Sequence, residues 1–178
     1  CVGHPIFSYC DFECYVSQTF NMIQTDRVNL KYLTGLLNSK LIEFWLKNKG
    51  KMQGANYQLD KEPLQQIPIA VPSNDVQEII AKLVDLIILL NTTDERASEL
   101  VQNSYISSEF EKLIDGCIYE IYLPNDMRGI STITVLRSYI HQKESISITD
   151  IWELYMKIDS TGIIDTLNSL SLSNSEAL

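Results

Sequence analysis

Long hydrophobic runs are missing from this chain of 178 residues. The longest, Leu86-Ile87-Ile88-Leu89-Leu90, falls far below the roughly 18–20 residues a membrane-spanning helix requires, so no membrane partner is expected. Basic charge is scarce too: 14 Lys and Arg face 23 Asp and Glu, for a net charge of −9. That is the wrong sign for a protein whose whole surface meets phosphates. Cysteine is limited to Cys1, Cys10, Cys14 and Cys117, with neither a CxxC pair nor a basic–apolar leader, which reads as reduced thiols in a cytoplasmic protein. Cys1, His4, Cys10 and Cys14 are of zinc-ligand type. Their irregular spacing instead favours Cys10 and Cys14 as small apolar residues on one face of a β segment.

The motifs of enzymatic chemistry are also absent. The chain has no GxGxxG, no Walker loop, no GxSxG and no HExxH, the patterns that place phosphates, nucleophiles or catalytic zinc. His4 and His141 stand far apart without an obvious partner. The carboxylates beyond residue 72 fall mainly on the polar sides of amphipathic helices, the pattern of a solvated face. No catalytic residue, no metal site and no cofactor is therefore assigned to the chain itself.

What is there is a globular balance, 45% hydrophobic with 21% charged residues, enough to bury a core. The amino end, Cys1-Val2-Gly3-His4-Pro5, has no initiator Met and is read as the start of a fragment. Residues 5–10 and 15–23, rich in β-branched and aromatic side chains around the turn Asp11–Glu13, predict strands. Leu30, Leu33, Leu37, Leu41, Phe44 and Trp45 recur at helical spacing, with Asp26 as cap and Gly50 as stop. Ile67-Pro68-Ile69-Ala70-Val71-Pro72 lacks amide hydrogens at both prolines and suits a sheet edge or an extended strap.

Beyond it, Asp75 and Glu78 suggest a capping pair before the stripe Val76, Ile79, Ile80, Leu83, Ile87 and Leu90. Residues 91–95 break that helix, and Thr92-x-x-Glu95 fits a second capping box. Phe110, Leu113, Ile114, Cys117, Ile118 and Ile121 form the next stripe, and the pattern does not decide whether 103–108 interrupts it. Two such helices should lie antiparallel. Residues 127–178 read as two or three short helices with a Ser-rich end that frays. The expected fold is α+β: a small β-containing recognition lobe at 1–72, a long-helix scaffold at 73–124 and a helical extension at 125–178.

The charge is unevenly placed. Residues 1–72 hold seven Lys and Arg against six Asp and Glu, whereas 73–178 hold seven against seventeen. The only dense basic cluster is Lys47-Asn48-Lys49-Gly50-Lys51. Contact with DNA needs cations for phosphates and forked groups for base edges. Lys47, Lys49, Lys51 and Lys61, with Gln53, Asn56 and Gln58, supply both within one segment. Gly50 and Gly54 would let the backbone come near a strand, and Tyr57 offers a flat face or a hydroxyl. On composition alone an exposed, solubilising loop is the simpler reading.

A resemblance reverses it. Asn29-Leu30-Lys31-Tyr32-Leu33-Thr34-Gly35-Leu36-Leu37-Asn38-Ser39-Lys40-Leu41, the Lys/Gly segment 50–57, and Leu59-x-Lys61-x-Pro63-Leu64-x-x-Ile67-Pro68-Ile69 resemble the TaqI-like carboxy-terminal specificity domain of adenine-specific DNA methyltransferases. Phe110–Asp115 and Ile118–Tyr122 extend the likeness, which spans roughly residues 15–125. It implies a DNA recognition domain that is not catalytic by itself, on double-stranded DNA, beside an amino-terminal methyltransferase domain of the same chain. That domain would bind S-adenosylmethionine, methylate adenine N6 and flip the target base; its Asn/Asp-Pro-Pro-Tyr/Phe motif is not in this sequence. The resemblance extends to fused type II restriction-modification enzymes, and such domains carry more β structure ahead of the Leu-Leu-Asn-Ser-Lys helix than these residues allow.

The DNA-binding residues expected are therefore Lys47, Lys49, Lys51, Gln53, Asn56, Tyr57, Gln58 and Lys61. Asn38 and Ser39 are read as bonding locally rather than reading bases. The acidic helices would brace the lobe or dock on the methyltransferase domain, since carboxylates repel phosphates. Two rival readings stand beside this one: half of a type I restriction specificity subunit, and an acidic helical protein-interaction module.

Overall fold

A computed structural model describes residues 6–17, 20–49, 51–53, 56–58, 61–140 and 146–175, with backbone alone at 51–53, 56–58 and 171–175. The described chain is helical. Its elements are α1 (Leu30–Asn38), α2 (Lys40–Lys49), a ribbon of β1 (Lys51–Gln53) and β2 (Asn56–Gln58), α3 (Lys61–Gln65), α4 (Asn74–Thr92), α5 (Asn103–Tyr122), α6 (Thr132–Ile140), α7 (Ile148–Asp159) and α8 (Ile163–Ser175). Three-residue strands paired only with each other do not make a β lobe, so the α+β expectation is corrected to an all-helical fold.

The two expected amino-terminal strands fail for a physical reason. A β-rich composition marks residues that fit a pleated, half-buried surface, and a strand needs a neighbour to take its amides. Among the described residues of 6–23 no strand forms, and Phe12, Tyr15, Phe20 and Met22 stand exposed. The segment is fastened to the helices at Phe7, whose N–H donates to Asn38 Oδ1 at 3.0 Å and whose carbonyl accepts from Asn38 Nδ2 at 2.7 Å. Lys31 Nζ also lies 5.1 Å from the centre of the Tyr9 ring.

The helix expected across 30–45 is two helices. Ser39 is extended at ψ 153°, and its hydroxyl donates to Leu36 O at 2.7 Å while accepting the Ile42 N–H at 3.4 Å. One buried serine thus closes α1 and opens α2. Ser39 bonds locally, as read from the sequence, whereas Asn38 bonds Thr34 O within its helix and also holds distant Phe7. The cap of α1 is Asn29 rather than Asp26: Asn29 Oδ1 accepts the N–H groups of Lys31 and Tyr32 at 2.8 and 3.2 Å. Gly50, the expected stop, lies outside the described residues.

Helices α1, α4 and α5 share the central packing. Gly35 on α1 sits so close to α4 that a Cβ there would lie 3.0 Å from Ile80 Cγ2 and 3.2 Å from Val84 Cγ2. Ile79, Ile80 and Leu83 of α4 and Ile106, Phe110, Leu113 and Ile118 of α5 are fully buried, each worth about 1.5–3 kcal/mol over exposure. The long helices run antiparallel: Asn103 Nδ2, at the start of α5, donates to Leu90 O near the end of α4. At the other end the extended strap 67–72 crosses α5, joined to Tyr122.

Two expected caps are corrected here, and the boundary left open at 103–108 is fixed. Thr92 belongs to α4 and donates to Ile88 O, so it opens no second helix. Residues 103–108 are the first turns of α5, not an interruption. Ser73 precedes α4 without a side-chain cap bond, and Asp75, expected as half of a capping pair, takes Arg137 instead at 2.6 Å. The carboxy-terminal part is three helices, packed through Leu136, Ile140, Ile151, Leu154, Ile158 and Ile164 into one core with the rest. Among the described residues no helix is long and apolar enough to cross a membrane.

Candidate nucleic-acid interface

The segment from α2 to the strap carries every residue singled out for DNA contact. Lys47 and Lys49 occupy the last turn of α2, where cations meet the negative end of the helix dipole. Lys51, Gln53, Asn56, Tyr57 and Gln58 lie in the ribbon, and Lys61 opens α3. The pairing is antiparallel: Lys51 faces Gln58, Met52 faces Tyr57, and Gln53 faces Asn56. Alternation along a strand then puts positions 51, 53, 56 and 58 on one face and 52 and 57 on the other. The fold thus groups Lys51, Gln53, Asn56 and Gln58 and separates Tyr57 from them by register. Gly54 lies outside the described residues.

Glu43 tempers the basic end of α2. Its Oε1 pairs with Lys47 Nζ and its Oε2 with Lys40 Nζ, both at 2.9 Å. Lys40 and Phe44, which the sequence reading left aside, share the outer face with Lys47. The helical period of 3.6 was the available signal for them.

Below this face, α5 holds the start of α2. Asp115 Oδ1 accepts the Lys40 N–H at 2.8 Å. Burial pushes the Asp115 carboxyl up to about 6, against the pull of the Lys40 N–H and ammonium. Tyr119, one turn on, is pushed up to about 12 by burial and by the charges of Asp115 and Glu43.

The strap that ends the segment is fixed by two tyrosines. Tyr32 Oη donates to Ala70 O at 2.8 Å, while Tyr122 Oη donates to Pro68 O at 2.6 Å and accepts the Ala70 N–H at 2.8 Å. Both prolines are accommodated because the segment is a strap whose amides need no ladder. Buried Gln77 completes the fastening, accepting the Asn29 N–H and donating to Pro72 O, each at 2.9 Å.

Cys10 and Cys14 are exposed rather than packed on a strand face, with their sulfurs 3.5 Å apart. Cys1 and His4 lie outside the described residues, and among the described ones no group of three or more His, Cys, Asp or Glu is placed to hold a metal ion. A polar cleft of about 220 Å³ lies where α1 and α4 begin, lined by Asp26, Arg27, Asn29, Asn74, Gln77 and Glu78. It is smaller than ordinary ligand pockets of roughly 300–1,000 Å³ and lies apart from the basic segment in sequence.

The class defined so far is an all-helical module that carries a basic helix end and ribbon between two fastened points. Residues 1–69 match the family model of the TaqI-like C-terminal specificity domain. The match bears out the resemblance read from the Leu-Leu-Asn-Ser-Lys helix and the Ile-Pro-Ile strap, and it covers α1, α2, the ribbon and α3. No curated protein and no solved structure matches the chain.

Proposed function

We propose that this chain recognises DNA sequence for a restriction-modification adenine-N6 methyltransferase of bacterial type, without catalysing a reaction itself. The observation that carries the reading is the specificity-domain match over residues 1–69, which contains the one dense basic cluster of an acidic chain. In this reading 1–72 is the recognition lobe, 73–124 the scaffold and 125–178 a helical extension. Lys47, Lys49, Lys51 and Lys61 contact phosphates, while Gln53, Asn56, Tyr57 and Gln58 meet bases or sugars. The methyltransferase domain, preceding in the same chain, binds S-adenosylmethionine and acts in the cytoplasm, alone or as part of a fused type II restriction enzyme. The acidic α4 and α5 face away from the duplex, since like charges repel.

The test is the salt dependence of binding to duplex DNA. Neutralised phosphates release counterions, and each ion pair adds close to one unit to the slope of log K against log salt. Changing Lys47, Lys49 and Lys51 together to Glu is expected to weaken binding and flatten that slope by about two to three units. An unchanged slope removes this surface from the reading.

A further inference from the structure

We propose that the outer face of α2 is a second contact element for DNA, with Phe44 as its apolar contact between two phosphate-facing lysines; this rests on the DNA-recognition reading above. α2 turns Ile42 and Leu46, each 1% exposed, into the core, with Leu41 and Trp45 half-buried beside them. Phe44 breaks that pattern. It points outward with 63% of its surface exposed, although four apolar neighbours on the same helix are drawn in.

Its surroundings set it apart from a scattered surface hydrophobe. Lys40 lies one turn before it and Lys47 one turn after, on the same face by helical spacing. Both ammonium groups reach the carboxylate of Glu43; α2 as a whole carries Lys40, Lys47 and Lys49 against that one acid of its own, with Asp115 of α5 held at the Lys40 N–H beneath it.

A lysine–phenyl–lysine stripe is complementary to a polyanion whose grooves expose sugars, thymine methyls and base edges between lines of phosphate. The stripe also leads directly into Lys49 and the ribbon. An acidic protein surface would satisfy the lysines as well, and the experiment separates the two occupants.

The full chain is titrated with a labelled duplex of random sequence as wild type, as Phe44→Ala and as Lys47→Glu/Lys49→Glu. A photo-crosslinking phenylalanine is placed in turn at Phe44 and, as control, at Ile88 on acidic α4. Phe44→Ala is expected to weaken binding about five- to thirty-fold, the worth of burying part of one phenyl ring, with an unchanged salt slope, because no charge is removed. The crosslinker is expected to capture DNA from position 44 and not from 88. If Phe44→Ala binds as wild type while the lysine variant weakens, the role of Phe44 is overturned and the DNA-recognition reading stands. If the lysine variant also binds as wild type, both fall. Position 44 capturing only protein in the presence of duplex overturns the assignment of DNA to this face.

Discussion

Asp115, in the middle of α5, caps a helix it does not belong to: its Oδ1 accepts the backbone N–H of Lys40, the first residue of α2, at 2.8 Å. The Ser39 hydroxyl engages the third amide of that helix, at 3.4 Å, and the Ser39 carbonyl the fourth, at 2.9 Å. The scaffold therefore supplies part of the cap for the helix that carries the basic face, and it does so with a half-buried acid.

That acid makes stability depend on pH. Burial holds the folded carboxyl at about 6, above its ordinary 3.8, so between those values the folded chain binds more protons than the unfolded one. Its contribution is most favourable below about 4 and is lost as pH rises through about 6. Asp115→Asn keeps an acceptor for the Lys40 N–H and removes the buried charge. It is expected to match wild type near pH 4 and to exceed it by about 1–2 kcal/mol near pH 8 in urea unfolding. A variant less stable than wild type at the higher pH contradicts this account. Glu120, also raised by burial, acts in the same direction in both proteins and drops out of the comparison.

The strap predicts two unequal tyrosine variants. Tyr122→Phe leaves the Ala70 N–H and Pro68 carbonyl without their common partner, whereas Tyr32→Phe removes a single donor to Ala70 O. Losses of about 1–2 and about 0.5–1.5 kcal/mol are expected respectively, read from denaturant midpoints. Absent losses would mean that the strap is held by its apolar residues alone, and equal losses that the second bond to Tyr122 adds nothing.

Gly35 predicts the cost of separating α1 from α4. Its contacts leave 3.0 Å to Ile80 Cγ2 for an added Cβ, and a branched side chain has nowhere to go in that interface. Gly35→Leu is expected to lower stability by about 1–3 kcal/mol, despite the better helix propensity of leucine. Thermal unfolding followed by circular dichroism decides it; a rise in midpoint would show that propensity outweighs packing.

Arg137 and Asp75 join α6 to the start of α4 through two donors, at 2.9 and 2.6 Å, on one carboxylate oxygen. Both side chains are substantially exposed, so the pair is expected to contribute at most about 1 kcal/mol. A double-mutant cycle with Arg137→Ala and Asp75→Ala measures it, and the coupling should shrink in high salt.

The parts of the fold legible in the sequence are those whose burial repeats along one helix. The stripes through Ile79, Leu83 and Leu90 and through Phe110, Leu113 and Cys117 locate α4 and α5 because one face alone meets the core. The break at Ser39 escapes the same reading, since Leu37 and Leu41 keep helical spacing across it; its sign is the adjacent Asn-Ser pair, two side chains that bond backbone groups in place of helix. Asp26 and Thr92 mislead because a side chain able to cap does so only where the chain turns. The β-like residues of 6–23 mislead because strand preference expresses a surface to pack against, which the described residues do not provide. At the candidate site, charge located the basic segment but by itself favoured a solubilising loop, and the resemblance made it a DNA contact; Phe44 was hidden inside an apolar pattern that assigned it to the core.

The bond from Tyr32 to Ala70 makes a closed excursion of everything between them. Between them the rest of α1 and the inner face of α2 stay on the core, and the chain then runs out through the ribbon and α3 before it returns to the same spot. A span whose two ends are fastened together can change length at little entropic cost, since closure depends only weakly on the number of residues closed. Its distal part is thus built as a cartridge. The stretch beyond Leu46 and before Ile67, both anchored in the core, can be recut or exchanged while the helices behind it keep their places.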